Sequence, residues 1–337
     1  MTNRQFVLLH RPIGLPKAQD FALTAAPIPE PPAGGFVMRN HFASLDPAQR
    51  GWMDEAPSYM PPISLGSPIR ASTVGRVHSS ANEDFSPGDW VAGLNALEDY
   101  SVVTPGGYTR KVDVAAVPSP TYFLSALGIS GMTAYFALLE QGRPLAGETV
   151  LVSAAAGAVG SLVGQIARIK GCRTIGIAGG AEKCRRLLED YHYDAAIDHR
   201  GKDRAQLSAA IAQAAPERLN LVFENVGGDI LDAGLKQLAR GGRVVLCGLI
   251  SEYNNTQGTT GAHDLWQLIV QRAHIHGFLV SDYATRFPAG LAQMSQWIAA
   301  GQIRVDEHIE HGLENAYETL MKLFSGGNRG KLILRIV

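Results

Sequence analysis

From Thr149 onward the apolar residues follow two alternating periods. "TVLVSA", "RTIGIAG", "AAIDH", "LNLVFENVGG" and "RVVLCG" are short, continuous, β-branched runs. Between them lie "VGSLVGQIARIKG", "AEKCRRLLED", "DRAQLSAAIAQAA" and "DILDAGLKQLARGG", whose apolar positions recur at helical spacing. Strands apolar on both faces, separated by amphipathic helices, predict a parallel sheet covered on both sides. His274 and His276 alternate on a further β-like run, and "GFLVSDY" after them is a candidate for another strand.

The first third has a different rhythm. "PIPEPPAGG" breaks the chain early, and "GFVMRNHFASL", "STVGRVHSS", "DWVAGL" and "RKVDVAAV" are short β-like runs. In "SPGDWV" Pro and Gly set a turn, and Trp90 and Val91 favour the pleat that follows. Such strands predict an antiparallel, barrel-type domain. "YFLSALGISGMTAYFALLEQG" then shows helical spacing and stops at Gly142. The final "RGKLILRIV" is again a β run, expected to return to the first domain and make it discontinuous.

Composition narrows the class. A chain of 337 residues suits two domains, and 46% apolar against 18% charged residues is a globular balance. The net charge of -1 gives no electrostatic case for nucleic acid or an anionic membrane surface. No stretch of about 18 apolar residues occurs, so no membrane span is expected. The start, "MTNRQFVLLHRPIG", does not read as a signal peptide. Cys172, Cys184 and Cys247 are few and far apart, which suggests reduced thiols and a cytoplasmic setting.

The candidate chemistry begins at "TVLVSAAAGAVGS". In a dinucleotide-binding unit one glycine makes the tight turn, a second admits the pyrophosphate to the backbone, and a third lets helix and strand pack closely. Ala155, Gly157 and Gly160 hold those places here. The helix that follows would aim its N-terminal N–H groups at phosphates. The same run also suits a small-residue turn in any α/β protein, but its place after a strand, in the first of several βα units, favours the nucleotide. At the end of the next strand an NAD site commonly carries an acid for the ribose hydroxyls. This chain has "AGGAEK" there, and Lys183 is placed to meet a 2′-phosphate, or to be a solvated residue at a helix start. NADP(H) is therefore the favoured cofactor.

These residues resemble the medium-chain dehydrogenase/reductase superfamily, specifically its zinc-independent alkenal/one oxidoreductase branch of prostaglandin, alkenal and curcumin reductases. The segment from "GISGMTAYFALLEQG" through "AGGAEK" carries the likeness, and "FENVGG", "CGLISEYNN", "GFLVSDY", "GGNRGKLIL", "DPAQRGWM" and "GSPIRASTVGRV" extend it over nearly the whole chain. The resemblance implies an α/β chain with a GroES-like β-barrel-type domain and a Rossmann domain with a doubly wound parallel sheet. The first spans residues 1–124 and 302–337 and the second residues 125–301. It implies Gly157, Ala158, Val159 and Gly160 at the pyrophosphate, Lys183 at the 2′-phosphate and Asn225 beside the ribose and nicotinamide. It also implies that Cys247, Gly248, Ile250, Ser251 and Tyr253 line the cofactor, with Phe278, Leu279 and Val280, and that Asn328 comes from the returning chain. A homodimer pairing Rossmann sheets edge to edge is implied as well. Two departures stand out: His199 of "IDHR" occupies a place where the family often has Tyr, and "DPAQRG" has Ala48 and Gln49 where the family often reads "DPYMRG".

The ligand cysteines and histidines of zinc-dependent relatives are not matched, so no metal is expected, and His274 and His276 suit ordinary surface or packed positions. Nor is there a nucleophile-elbow sequence of the Ser/His/Asp hydrolases. Reduction of an activated C=C bond needs a hydride donor, a hydrogen bond to the carbonyl oxygen and a proton source. Tyr253 is the candidate for the last two, since a phenol donates to a developing enolate oxygen. A binding-only Tyr253, with the proton coming from water or a ribose hydroxyl, is the other reading. Trp52, Met53 and Tyr59 are candidates for an apolar substrate wall, and packing accounts equally for each. The expected activity is NADPH-dependent reduction of enals or enones. The rivals are a quinone reductase on the same fold and a non-catalytic NADP(H)-binding redox sensor or RNA-associated factor.

Overall fold

The computed structural model describes residues 2–257 and 264–337; of the polar loop "NNTQGTTG" after Tyr253, Gly258 to Gly261 lie outside the described residues. The chain divides into two compact units, Met1–Gly128 with Glu307–Val337, and Ile129–Asp306.

In the first unit β1 (Thr2–Leu8) and β2 (Phe21–Pro27) form an antiparallel ribbon. The main sheet contains β3 (Phe36–Ser44), β4 (Arg70–Ser80), β5 (Trp90–Ala96), β6 (Tyr100–Val103) and β7 (Arg110–Lys111), with the one-turn helix α1 (Ala48–Gly51) after β3. "RKVDVAAV" is strand only at its first two residues; the Asp113 carboxylate then caps a 3-10 turn by accepting from Ala115 N at 3.0 Å. The core beneath β1 and β3 is built on Phe6, Leu8, Leu45, Met53 and Leu97.

The second unit opens with α2 (Ile129–Phe136), which continues into a π-helical turn ending at Gly142. There follow β8 (Thr149–Val152), α3 (Gly160–Ile169), β9 (Arg173–Ala178), α4 (Ala181–Glu189) and β10 (Ala195–Asp198). The second half comprises α5 (Arg204–Ala214), β11 (Leu219–Glu224), α6 (Gly228–Lys236), β12 (Leu238–Leu246), α7 (Trp266–Gln271) and β13 (His274–Gly277). The six strands are parallel in the order β10-β9-β8-β11-β12-β13, the doubly wound order 3-2-1-4-5-6. Leu151, Ile175, Ile177 and Val222 bury its centre completely or nearly so.

Two sequence expectations change here. The sixth strand is "HIHG" rather than "GFLVSDY", most of which is the 3-10 helix Val280–Arg286. The "LARGG" that closes a helical pattern instead begins β12, because the Gln237 N–H caps α6 onto Gly234 O at 3.0 Å. After Ser325 the chain runs into β15 (Lys331–Arg335), which pairs with β14 (Glu307–His311) in parallel and with β3 antiparallel, so the C-terminus completes the first sheet. The helix α8 (Phe287–Ala299) belongs to the second unit and α9 (Ala316–Ser325) to the first. Among the described residues no helix is long and apolar enough to cross a membrane.

Candidate active site

In an open α/β sheet ligands bind outside the carboxyl ends of the strands, at the point where strand order reverses. That point lies between β8 and β11. Every second-unit residue selected from the sequence stands just beyond a carboxyl end: Gly157–Gly160 after β8, Lys183 after β9, His199 after β10, Asn225 after β11, Cys247–Tyr253 after β12, and Phe278–Val280 after β13.

The turn after β8 is tight. Its left-handed residue is Ala154, at φ +46°, so the first-glycine role falls one residue before Ala155, whose N–H donates to Ile177 O at 2.9 Å. Gly160 opens α3 with its Cα against the turn: a Cβ there would stand 2.5 Å from Ala154 O and 2.8 Å from Ala155 Cα. The N–H groups of Ala158, Val159 and Gly160 stand at the N-terminal end of α3, where the helix itself supplies no acceptor. They are orphan donors at a helix N-terminus, with no acid in the turn, and they suit a pyrophosphate.

At the ends of β9 and β10 cations gather. Lys183 is held below its ordinary value by burial first, then by the charges of Arg200 and Arg186. A Cβ on Gly179 would stand 3.0 Å from His199 Nε2, and one on Gly180, at φ +97°, 3.0 Å from Arg200 Nη1. The two side chains therefore lie across that glycine pair. Asp198 is turned to the backbone, accepting from Gly180 N at 2.8 Å and Arg200 N at 3.0 Å. A cradle with Lys183, Arg200 and the His199 imidazole, whose neighbouring Asp198 carboxylate is engaged by backbone N–H groups, fits the 2′-phosphate of NADP(H), and the last residue of β9, Ala178, is not the acid that an NAD ribose would use. Sequence reasoning missed Arg200, although it directly follows His199.

The switch point is organised by groups the sequence did not single out. Glu224, fully buried at the end of β11, accepts through Oε1 from Ser153 Oγ at 2.8 Å, Val226 N at 2.5 Å and Gly227 N at 2.8 Å, while Oε2 has no partner among the described residues. Burial raises its carboxyl above the usual range, against the pull of those bonds. Ser153 Oγ accepts from Asn225 N at 2.7 Å, and Asn225 Nδ2 donates to Ser153 O at 2.8 Å. Cys247 N and Gly248 N donate to Glu224 O, and Ser251 N to Val226 O. Together these bonds tie the Asn225 turn to β8 and to the β12 loop. The Cys247 thiol is pushed up to about 12 by burial and by Glu224.

Tyr253 turns back on its own loop. Its hydroxyl accepts from Leu249 N at 3.3 Å and lies 3.2 Å from where a Cβ of Gly248 would be. Phe278 is half-buried and stacks on Tyr283 at 5.4 Å between centroids. In the first unit Asn328 Nδ2 donates to Gly330 O at 3.1 Å. Trp52 Nε1 donates to Tyr59 Oη at 3.1 Å, and the Arg70 guanidinium lies 5.7 Å from the Trp52 ring centroid. Met53, expected on the same wall, is corrected: it is fully buried in the core with Leu8 and Leu45, where no substrate reaches it. Gln49 is also fully buried; it accepts from Asp46 N at 3.0 Å and donates to Arg70 O at 2.9 Å, so it braces the α1 turn. Among the described residues no three His, Cys, Asp or Glu side chains are grouped to hold a metal, and the His274 and His276 rings stand 6.0 Å apart.

Residues 4–112 match the family described as N-terminal domain of oxidoreductase, and residues 158–298 the family described as zinc-binding dehydrogenase. The chain is 39% identical over 339 residues to the NADPH-dependent curcumin reductase of Escherichia coli, covering 99% of this chain and 97% of that one. It is 39% identical over 340 residues to the NADP(+)-dependent 2-alkenal reductase of Nicotiana tabacum, covering 100% and 98%. The crystal structure of CurA from Vibrio vulnificus in complex with NADPH superposes with a TM-score of 0.93 at 39% identity, covering 99% of both chains. With the doubly wound sheet and the cationic β9 end, these full-length likenesses place the chain in the NADP-dependent alkenal/one oxidoreductase branch of the medium-chain dehydrogenase/reductase superfamily.

Proposed function

We propose that the protein reduces the C=C bond of α,β-unsaturated aldehydes or ketones with NADPH. The observation that carries this reading is its full-length likeness to reductases named for curcumin and 2-alkenals. The donors at the carboxyl ends of the strands support the cofactor half of it. Orphan N–H groups of Ala158, Val159 and Gly160 hold the pyrophosphate, and Lys183, His199 and Arg200 hold the 2′-phosphate. Glu224 and Ser153 fix the Asn225 turn, and the β12 loop from Cys247 to Tyr253 would line the bound cofactor with Phe278, Leu279 and Val280. Asn328 is a further proposed cofactor residue.

When bound, NADPH supplies a hydride to the β-carbon of the substrate. Negative charge then develops on the carbonyl oxygen, where the Tyr253 hydroxyl donates a hydrogen bond; such a donor counts because its bond strengthens as the charge grows. Tyr253 or water returns the proton to the α-carbon; a ribose hydroxyl of the bound cofactor would be the other source. Trp52 and Tyr59 form the apolar wall.

The test is NADPH oxidation against a panel of enals, enones and quinones, with product identification. Saturated aldehydes or ketones are the expected products. Turnover of quinones alone would make it a quinone reductase, and no turnover with tight NADPH binding would make it a sensor. We further infer a cytoplasmic homodimer. The three cysteines are free thiols. The edge strand β13 and the neighbouring Leu265, Trp266 and Ile269, exposed at 51%, 66% and 67%, offer a second copy both backbone groups and apolar surface.

A further inference from the structure

The cluster at the ends of β9 and β10 has a property beyond phosphate preference, because one of its members is an imidazole, the side chain whose ordinary charge change lies nearest neutral pH. The charged groups facing the His199 imidazole are Asp198 and Arg200 beside it, Lys202 further along the loop, and Lys183 from α4. Asp198 is engaged by two backbone N–H groups, and its own carbonyl accepts from Lys202 Nζ at 2.8 Å. The Arg200 guanidinium is exposed. His199 and Arg200 both press on the Gly179–Gly180 pair, so ring and guanidinium are held together over one small patch of backbone.

Resting on the reading of this patch as the 2′-phosphate site, we propose that His199 makes NADP(H) binding proton-linked. The imidazole takes up a proton from solvent when the phosphate arrives, and Arg200 is a permanently charged second ligand of the same phosphate. The proton returns to solvent when the cofactor leaves.

Opposing fields give the physical reason. In the free protein burial is the largest influence on the imidazole, and Arg200 and Lys183 add to it; together they outweigh Asp198 and keep the ring below its ordinary value. A phosphate dianion against the ring reverses this balance, because an opposite charge at contact distance favours the charged form. Between the free and bound values of His199, binding takes up a proton, so NADPH affinity falls as pH rises. The limit is about tenfold in Kd for each unit of difference. Above the bound value the affinity levels off at its weaker limit. The phosphate's own second proton, lost near pH ~6, acts in the opposite sense. NADH, which lacks that phosphate, carries neither effect.

Isothermal titration of NADPH and NADH into the full chain tests this, from about pH 6 to about pH 8.5 to span the ordinary His value. Each pH is run in two buffers of different ionisation enthalpy, so that the protons taken up are counted. The wild type should take up a fraction of a proton with NADPH and none with NADH. His199→Gln should abolish the uptake and leave only the opposite pH dependence that the phosphate itself carries. His199→Lys should bind at every pH as tightly as the wild type does at its acidic limit. Arg200→Gln should weaken NADPH by about 10-fold or more at every pH and retain the uptake. Equal proton uptake in the wild type and His199→Gln would overturn the linkage, and unchanged affinity in Arg200→Gln would overturn the role of Arg200. If the wild type bound NADPH no more tightly than NADH, the 2′-phosphate reading itself would fall, an outcome distinct from both.

Discussion

Tyr253→Phe removes one hydroxyl from the β12 loop and leaves the ring. One contact that the hydroxyl makes in the free protein is weak. The hydroxyl accepts from Leu249 N at 3.3 Å, beyond the usual N–H···O range, on a half-buried loop. Losing a neutral bond of that kind costs up to ~1 kcal/mol, about a fivefold change at most in loop stability or cofactor affinity. The transition state asks more of the same group. If the phenol donates to the carbonyl oxygen as it becomes an enolate, its loss should slow the chemical step by about 10²–10³-fold, as for other oxyanion donors. The two magnitudes differ enough to separate the roles. The assay is single-turnover decay of NADPH absorbance with saturating enone, which isolates hydride transfer from product release, together with NADPH titration of the variant. A large fall in rate at nearly constant NADPH Kd supports catalysis. An unchanged single-turnover rate would exclude Tyr253 as the donor, and a loss confined to KM would make it a pocket residue.

Lys183→Ala should weaken NADPH by about 10- to 100-fold and NADH hardly at all, since a charge-assisted bond to phosphate is removed; equal losses in a parallel titration would refute the assignment. Gly160→Ala places a Cβ 2.5 Å from Ala154 O, and the overlap should destabilise the fold by about 1–3 kcal/mol and weaken NADPH; an unchanged Tm and Kd would show that the turn yields freely. Glu224 has a carboxyl raised by burial, so its contribution to stability is greatest at low pH and is lost as pH rises through its folded value. Glu224→Gln removes that ionisation, and its Tm relative to wild type should therefore improve from acid to alkaline pH; a constant difference across pH would count against a buried titrating acid. Trp266→Glu with Ile269→Glu should convert a dimer to monomer in light scattering, and a wild type that is already monomeric at micromolar concentration would refute the pairing.

The sequence by itself determined the alternation of buried strands and helices after Thr149, because a parallel strand covered on both faces must be apolar at nearly every position. It also determined the absence of an acid at the end of β9, which is a local fact about "AGGAEK". Only the tertiary structure decided what surrounds those positions. Arg200 reaches Gly180 because the parallel register sets Asp198 beside Ala178, a pairing between distant stretches that no local pattern encodes. Glu224 reads as a polar strand end, and becomes a fully buried bracket for the Asn225 turn only when β8 brings Ser153 alongside. Met53 and Trp52 are adjacent in the chain, yet one is wholly inside and the other stands with Tyr59 and Arg70, because the α1 turn directs neighbouring side chains to different faces. "HIHG" outcompetes "GFLVSDY" for the last strand through its pairing with β12 from Arg243 to Leu246. Propensity is a property of a segment, whereas pairing and burial are properties of what the rest of the chain places against it.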